Sequence, residues 1–132
     1  MVTQQEMTDK LKALGLKKQF FPYTEAETGV ILLKTRKPAA IVDGLLVGSE
    51  IDLYDNSTFR VWTPQKKKAM AYAKKYLLKI RLLDGEAALF VPVNLADELL
   101  PKFGAKVKHS HPVSPKSAEA LRQYRANKRL AG

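Results

Sequence analysis

The stretch "EIDLYDNSTFRVWTPQKKK", Glu50–Lys68, decides how this chain folds. Its apolar residues Ile51, Leu53, Phe59 and Val61 alternate with polar ones on either side of Asp55, Asn56 and Ser57. Period two marks strands with one buried face, and the polar triplet marks a tight loop between them. With a three-residue loop, Leu53 faces Phe59, Asp52 faces Arg60 and Glu50 faces Trp62. Phe59, Val61 and Thr63 then share one face, leaving Arg60 and the only tryptophan, Trp62, on the other. Trp62 therefore either lies beneath another part of the fold or stands as a stacking surface in a basic groove. For Arg60 the plain expectation is a cross-strand ion pair with Asp52, worth about 0–1 kcal/mol when exposed.

Immediately downstream, Thr63 and Pro64 supply a cap and a first-turn proline for a helix through "QKKKAMAYAKKYLL". At 100° per residue Ala69, Met70, Ala73, Tyr76 and Leu77 fall on one face, and Lys67, Lys68, Lys74 and Lys75 on the other. "KIRLLDGEAALFV" follows as a hairpin around Asp84-Gly85, pairing Ile80 with Leu89 and Lys79 with Phe90. Phe90 thus shares a face with Lys79 and Arg81.

Upstream, "AAIVDGLLV" places Asp43-Gly44 between apolar runs, the dipeptide preferred by type I′ turns, and "GVILLKT" reads as a strand. "FFPYTEAETG" breaks the pattern. Thr3 and Glu6 have capping-box spacing, with Met7, Leu11 and Leu14 on one helical face and Gly15 placed to end the helix. At the other end "NLADELLPKFG" predicts a short helix starting near Asn94 or Asp97 and interrupted by Pro101, and "AKVKHSHPVSP" reads as a linker. Ser114 and Pro115 open a last helix, "KSAEALRQYRANKRL", whose Arg122, Arg125 and Arg129 lie in one narrow arc beside Lys128, with Leu121 and Tyr124 as its few large apolar residues.

With 132 residues the chain is long enough for one domain with a real core. The expected organisation is a single globular α+β domain over 1–111 and a basic C-terminal helix or tail over 112–132. Cysteine is absent, which removes disulfides, thiol catalysis and thiolate metal sites and is compatible with a cytoplasmic location. No segment approaches the roughly 20 apolar residues that span a bilayer, and the N-terminus has no signal-peptide run, so no membrane partner is expected.

Residues 1–56 carry 7 Lys+Arg against 8 Asp+Glu, whereas 57–132 carry 16 against 5, so the formal +10 belongs to the second half. Such a field favours a polyanion or an acidic protein surface. Catalytic signatures are missing: no G-x-S-x-G, no G-x-G-x-x-G and no G-K-[ST] occurs. His109 and His111 have no carboxylate nearby to complete a metal shell, so neither metal nor cofactor is expected.

From residue 29 to 93 the element order is roughly β-β-β-α-β-β. That order resembles the OB-fold, a small Greek-key barrel, and the resemblance implies single-strand binding across strands 2 and 3 through aromatic and basic residues. The expected fold is therefore α+β, a small antiparallel sheet or OB-like β-barrel with a Lys-rich amphipathic helix between strands and short N- and C-terminal helices. The expected function is non-enzymatic binding of nucleic acid, preferably single-stranded DNA or RNA, because unstacked bases need a π surface and phosphates need charge. Arg60, Trp62, Lys67, Lys68, Tyr72, Lys74, Lys75, Lys79, Arg81, Phe90, Arg122, Arg125, Lys128 and Arg129 are the residues expected to carry it. The alternative is a small interaction protein of viral or plasmid type, an inhibitor or polymerase accessory factor, docking on an acidic protein surface.

Overall fold

A computed structural model describes residues 3–108. The opening helix α1, Gln4–Ala13, is capped as its sequence requires: the Thr3 hydroxyl accepts from the Glu6 N–H at 3.1 Å, and Met7 and Leu11 are buried. Short strands β1, Gln19–Phe20, and β2, Pro22–Thr24, then occupy the stretch read as a break in pattern. Two and three residues around a proline are too short for any periodicity to show.

The centre is a six-stranded antiparallel sheet. Its strands are β2, β3 (Ile31–Leu33), β6 (Glu50–Asp55), β7 (Thr58–Thr63), β9 (Glu86–Pro92) and β8 (Ile80–Leu83), paired in the order β2-β3-β6-β7-β9-β8. β2 and β8 remain as edges, so this sheet is open rather than closed into a barrel. The small antiparallel sheet of the α+β expectation is what the chain forms. A separate hairpin, β4 (Ala40–Val42) with β5 (Leu45–Val47), turns at Asp43 and Gly44, both at positive φ as a type I′ turn demands. At Asp84-Gly85 only the glycine takes positive φ, yet the two-residue turn and the Ile80–Leu89 pairing are as expected.

The register read from Glu50–Lys68 is the observed one: Leu53 pairs with Phe59, Asp52 with Arg60 and Glu50 with Trp62. A bulge between Leu53 and Asp55 absorbs the odd residue, so the loop shortens to Asn56-Ser57. The Asp55 carboxylate accepts from the Ser57 N–H at 2.8 Å and from its hydroxyl at 3.0 Å, which holds that carboxyl below its usual range.

Thr63 remains in β7, and helix α2 spans Lys66–Tyr76, two residues later than a Thr63 cap would place it. The cause is local: the Thr63 hydroxyl accepts from Gln65 N–H and from the Ser49 hydroxyl, which fixes it in the strand. The buried stripe of α2 is Ala69 and Ala73 with Tyr72 and Tyr76 half-buried, while Met70 is exposed. The face is therefore turned from the expected one by about one position. Leu77 lies beyond the helix in the left-handed conformation, φ 54°, and is 92% exposed.

Helix α3, Val93–Leu99, runs on into a 3-10 turn, Leu100–Phe103, which contains Pro101. Asp97 accepts from the Lys17 and Lys18 N–H groups, both at 2.9 Å, and ties the segment between α1 and β1 to α3. Part of the expected linker is structured instead: β10, Val107–Lys108, pairs with β1. The segment expected as the last helix, His109, His111 and the 111/112 boundary lie outside the described residues.

The helices of the described residues pack on one face of the sheet. Phe59, Val61, Ala87, Leu89 and Val91 point into a core with Leu11, Ala69, Ala73, Ala96, Leu99, Leu100 and Phe103. The opposite face carries Tyr23, Glu50, Asp52, Tyr54, Arg60, Trp62, Arg81, Glu86 and Phe90, and no helix of the described residues covers it.

Candidate nucleic-acid interface

The alternation in β6, β7 and β9 that sends Phe59 inward sends Arg60, Trp62 and Phe90 outward. Arg60 grips Asp52 in a two-pronged ion pair, Nε to Oδ1 at 3.1 Å and NH2 to Oδ2 at 2.8 Å, the only ion pair among the described residues. The same guanidinium lies 5.2 Å from the Tyr54 ring centre. Tyr54 meets Phe90 edge-on at 5.2 Å, and the Lys79 ammonium stands 5.2 Å from the centre of the Phe90 ring. Cations and rings thus alternate over one patch, Arg60–Tyr54–Phe90–Lys79, with Arg81 on the neighbouring strand. Tyr54 was not singled out in the sequence; its place on the period-two face of Asp52 was the signal for it.

Trp62 belongs to this face and not to the core. It is half-buried, its indole N–H donates to Glu86 Oε1 at 2.9 Å, and Glu50 pairs opposite it. Carboxylates collect on this side: Glu50, Asp52 and Glu86 line a cavity of about 310 Å³ together with Trp62, Arg60 and Arg81. Burial, with Asp52 and Glu25 nearby, raises the Glu50 pKa above its ordinary 4.5 against the smaller opposing pull of Arg60. On the open face Glu50 and Glu86 thus gather around Trp62 and Arg81, while Lys79 stands beside Phe90.

A raised carboxyl pKa means that the folded chain binds this proton more tightly than the unfolded chain, so ionised Glu50 opposes folding at neutral pH. That penalty fades as pH falls through the folded value. Glu50→Gln is expected to raise the melting temperature at pH 7, with the gain shrinking to nothing well below pH 4.5. Melting curves across pH check this, and a gain that is the same at both ends contradicts it.

The lysines of α2 do not join the ring patch directly, because α2 covers the core face of the sheet. Lys67, Lys74 and Lys75 are exposed on the far side of the helix, and Lys75 lies 5.2 Å from the Tyr76 ring centre. Tyr72 is half-buried between Tyr76 and Phe103, so it supports the helix rather than offering an open ring. The ring patch reaches the end of α2. Leu77, Leu78 and Lys79 lie in one groove with Tyr54, Asp55 and Phe90, a cavity of about 300 Å³.

At the start of α2, chain segments distant in sequence add cations that the sequence did not bring together. Arg36, Lys37, Lys68 and Lys102 surround a cavity of about 360 Å³ whose lining contains no carboxylate. A backbone bridge between Thr35 and Ala105 makes this juxtaposition. Arg122, Arg125, Lys128 and Arg129 lie outside the described residues.

No helix of the described residues is long and apolar enough to cross a membrane, and among them no three His, Asp or Glu side chains converge as a metal site requires. No protein family, no curated protein and no solved structure matches this chain.

Proposed function

We propose that this protein is a non-enzymatic, nucleic-acid-binding protein with a preference for single strands. Phosphates lie along the lysine face of α2 and bases stack on the ring patch of the open sheet. The observation that carries the reading is the groove that the ring patch shares with the end of α2 at Leu77–Lys79. A strand following Lys67, Lys74 and Lys75 along the roughly 16 Å of α2 reaches Lys79 at its end, and there the exposed edges of Phe90 and Tyr54 begin. Cation and π surface then follow one another along one path, which is what an unpaired strand can use and a stacked duplex cannot. The OB-like comparison extends only to this use of an open, ring-bearing sheet face.

Phe90→Ala and Tyr54→Ala are each expected to weaken binding of a single-stranded oligonucleotide by about 1–3 kcal/mol and to leave duplex binding nearly unchanged. Trp62→Ala should do less, since its indole is engaged by Glu86 and flanked by Glu50. Fluorescence anisotropy titrations with matched single- and double-stranded probes check this. Equal losses for both probes count against stacking.

A second reading, an interaction protein docking on another protein, is favoured by the β4–β5 hairpin. It exposes Ile41 at 60%, Val42 at 51% and Leu45 at 66%, more apolar surface than a free hairpin tip needs. Under that reading Ile41→Ser abolishes partner capture and leaves oligonucleotide affinity unchanged.

A further inference from the structure

The cavity at the start of α2 is built differently from the lysine face beside it. Arg36 comes from the segment after β3, Lys37 follows it, Lys68 comes from the first turn of α2 and Lys102 from the 3-10 turn. Backbone contacts fix the framework. Arg36 donates its N–H to Gly104 C=O at 2.7 Å and its guanidinium to Pro101 C=O at 3.2 Å. The Lys68 ammonium donates to Lys102 C=O and lies 5.1 Å from the Phe103 ring centre. The Lys37 C=O accepts from Ser49 N–H at 3.0 Å. Gly48, at φ +74°, lets that backbone approach so closely that a Cβ there would stand 2.2 Å from the Pro38 carbonyl oxygen. Each cation engaged by a carbonyl keeps further N–H donors, because a guanidinium has five and an ammonium three.

We propose that this cavity seats the terminal phosphate monoester of a bound strand; the proposal rests on the nucleic-acid reading above. Four cationic residues line a space with no Asp, Glu or His in its lining, so its local field favours an anion. An internal phosphodiester brings a single negative charge. A monoester brings nearly two at neutral pH, with a second pKa near 6, and presents three oxygens to the remaining donors. The volume agrees: about 360 Å³ is at the small end of ligand sites, room for a phosphate with its sugar and not for a run of nucleotides. From this seat the strand leaves along Lys67, Lys74 and Lys75.

The test titrates the full chain with one labelled single strand made with a 5′-phosphate, a 3′-phosphate or hydroxyls at both ends. One phosphorylated strand is expected to bind about tenfold or more tightly than the hydroxyl-ended one, as an added set of charge-assisted hydrogen bonds implies. Arg36→Gln with Lys102→Gln removes that preference, so that phosphorylated and hydroxyl-ended strands bind alike, and Lys102→Gln alone, at an exposed position, reduces the preference in the same direction. The preference also shrinks at pH 5, where the monoester loses its second charge. Equal affinity for all three strands overturns end recognition and leaves the nucleic-acid reading standing. Failure of every strand to bind, with inorganic pyrophosphate still raising the melting temperature, overturns both and leaves only a phosphate site.

Discussion

Phe59→Ala is expected to destabilise the fold by about 3–5 kcal/mol, a large part of the roughly 5–15 kcal/mol that holds a domain of this size together. Phe59 is completely buried at the centre of the sheet, between the strands and the helix layer, where no neighbouring side chain is free to fill the space it leaves. Trp62, three residues on and larger, should cost less than half as much when changed to alanine. It lies half-exposed on the other face and is absent from the core. Urea denaturation followed by circular dichroism checks the pair. Equal losses, or a greater loss at Trp62, contradict the placement of the helices on the Phe59 face.

The second large effect is electrostatic. Changing Lys67, Lys74 and Lys75 together to glutamine should lower affinity for a single-stranded oligonucleotide by about 100-fold at 0.1 M salt. It should also flatten the log–log salt slope by about 2, if each lysine releases the counterions of one phosphate. Stability should hardly change, because these side chains are exposed and none is in an ion pair. Thermal melting of the variant supplies the control: an affinity loss accompanied by unfolding assigns the effect to the fold.

The two sides of this account were not equally legible in the sequence. The alternation of Ile51, Leu53, Phe59 and Val61 fixes both the register and the face of each side chain, since a slip of one residue would turn Phe59 into solvent and Arg60 into the core. The Asp52–Arg60 pair, the placing of Trp62 on the same face as Arg60 and the cap at Thr3 all follow from such local rules. What local rules miss depends on separation in the chain. β1 pairs with β10 across almost ninety residues, and nothing in "QF" or "VK" announces a strand. Two unremarkable segments, "KTRK" and "PKFGAK", become one basic cavity only when Thr35 bridges Ala105.

The same limit explains the candidate site. Charge and aromaticity were visible residue by residue, but which side of the sheet α2 would cover was not. A sheet with alternating faces must bury one of them, and either choice satisfies the pattern. Once α2 settles over Phe59 and Leu89, its lysines lie on the other side of the sheet from Trp62, so the proposed path has to pass around the end of the helix.

The central claim, that strands are held chiefly through their phosphates, is tested most directly by titrating the full chain with a labelled single-stranded oligonucleotide at 50, 100 and 200 mM salt. With four or more phosphates engaged, affinity should fall about 50-fold or more across that range, linearly on logarithmic axes. An affinity that does not change with salt, or no binding at 50 mM, would contradict it.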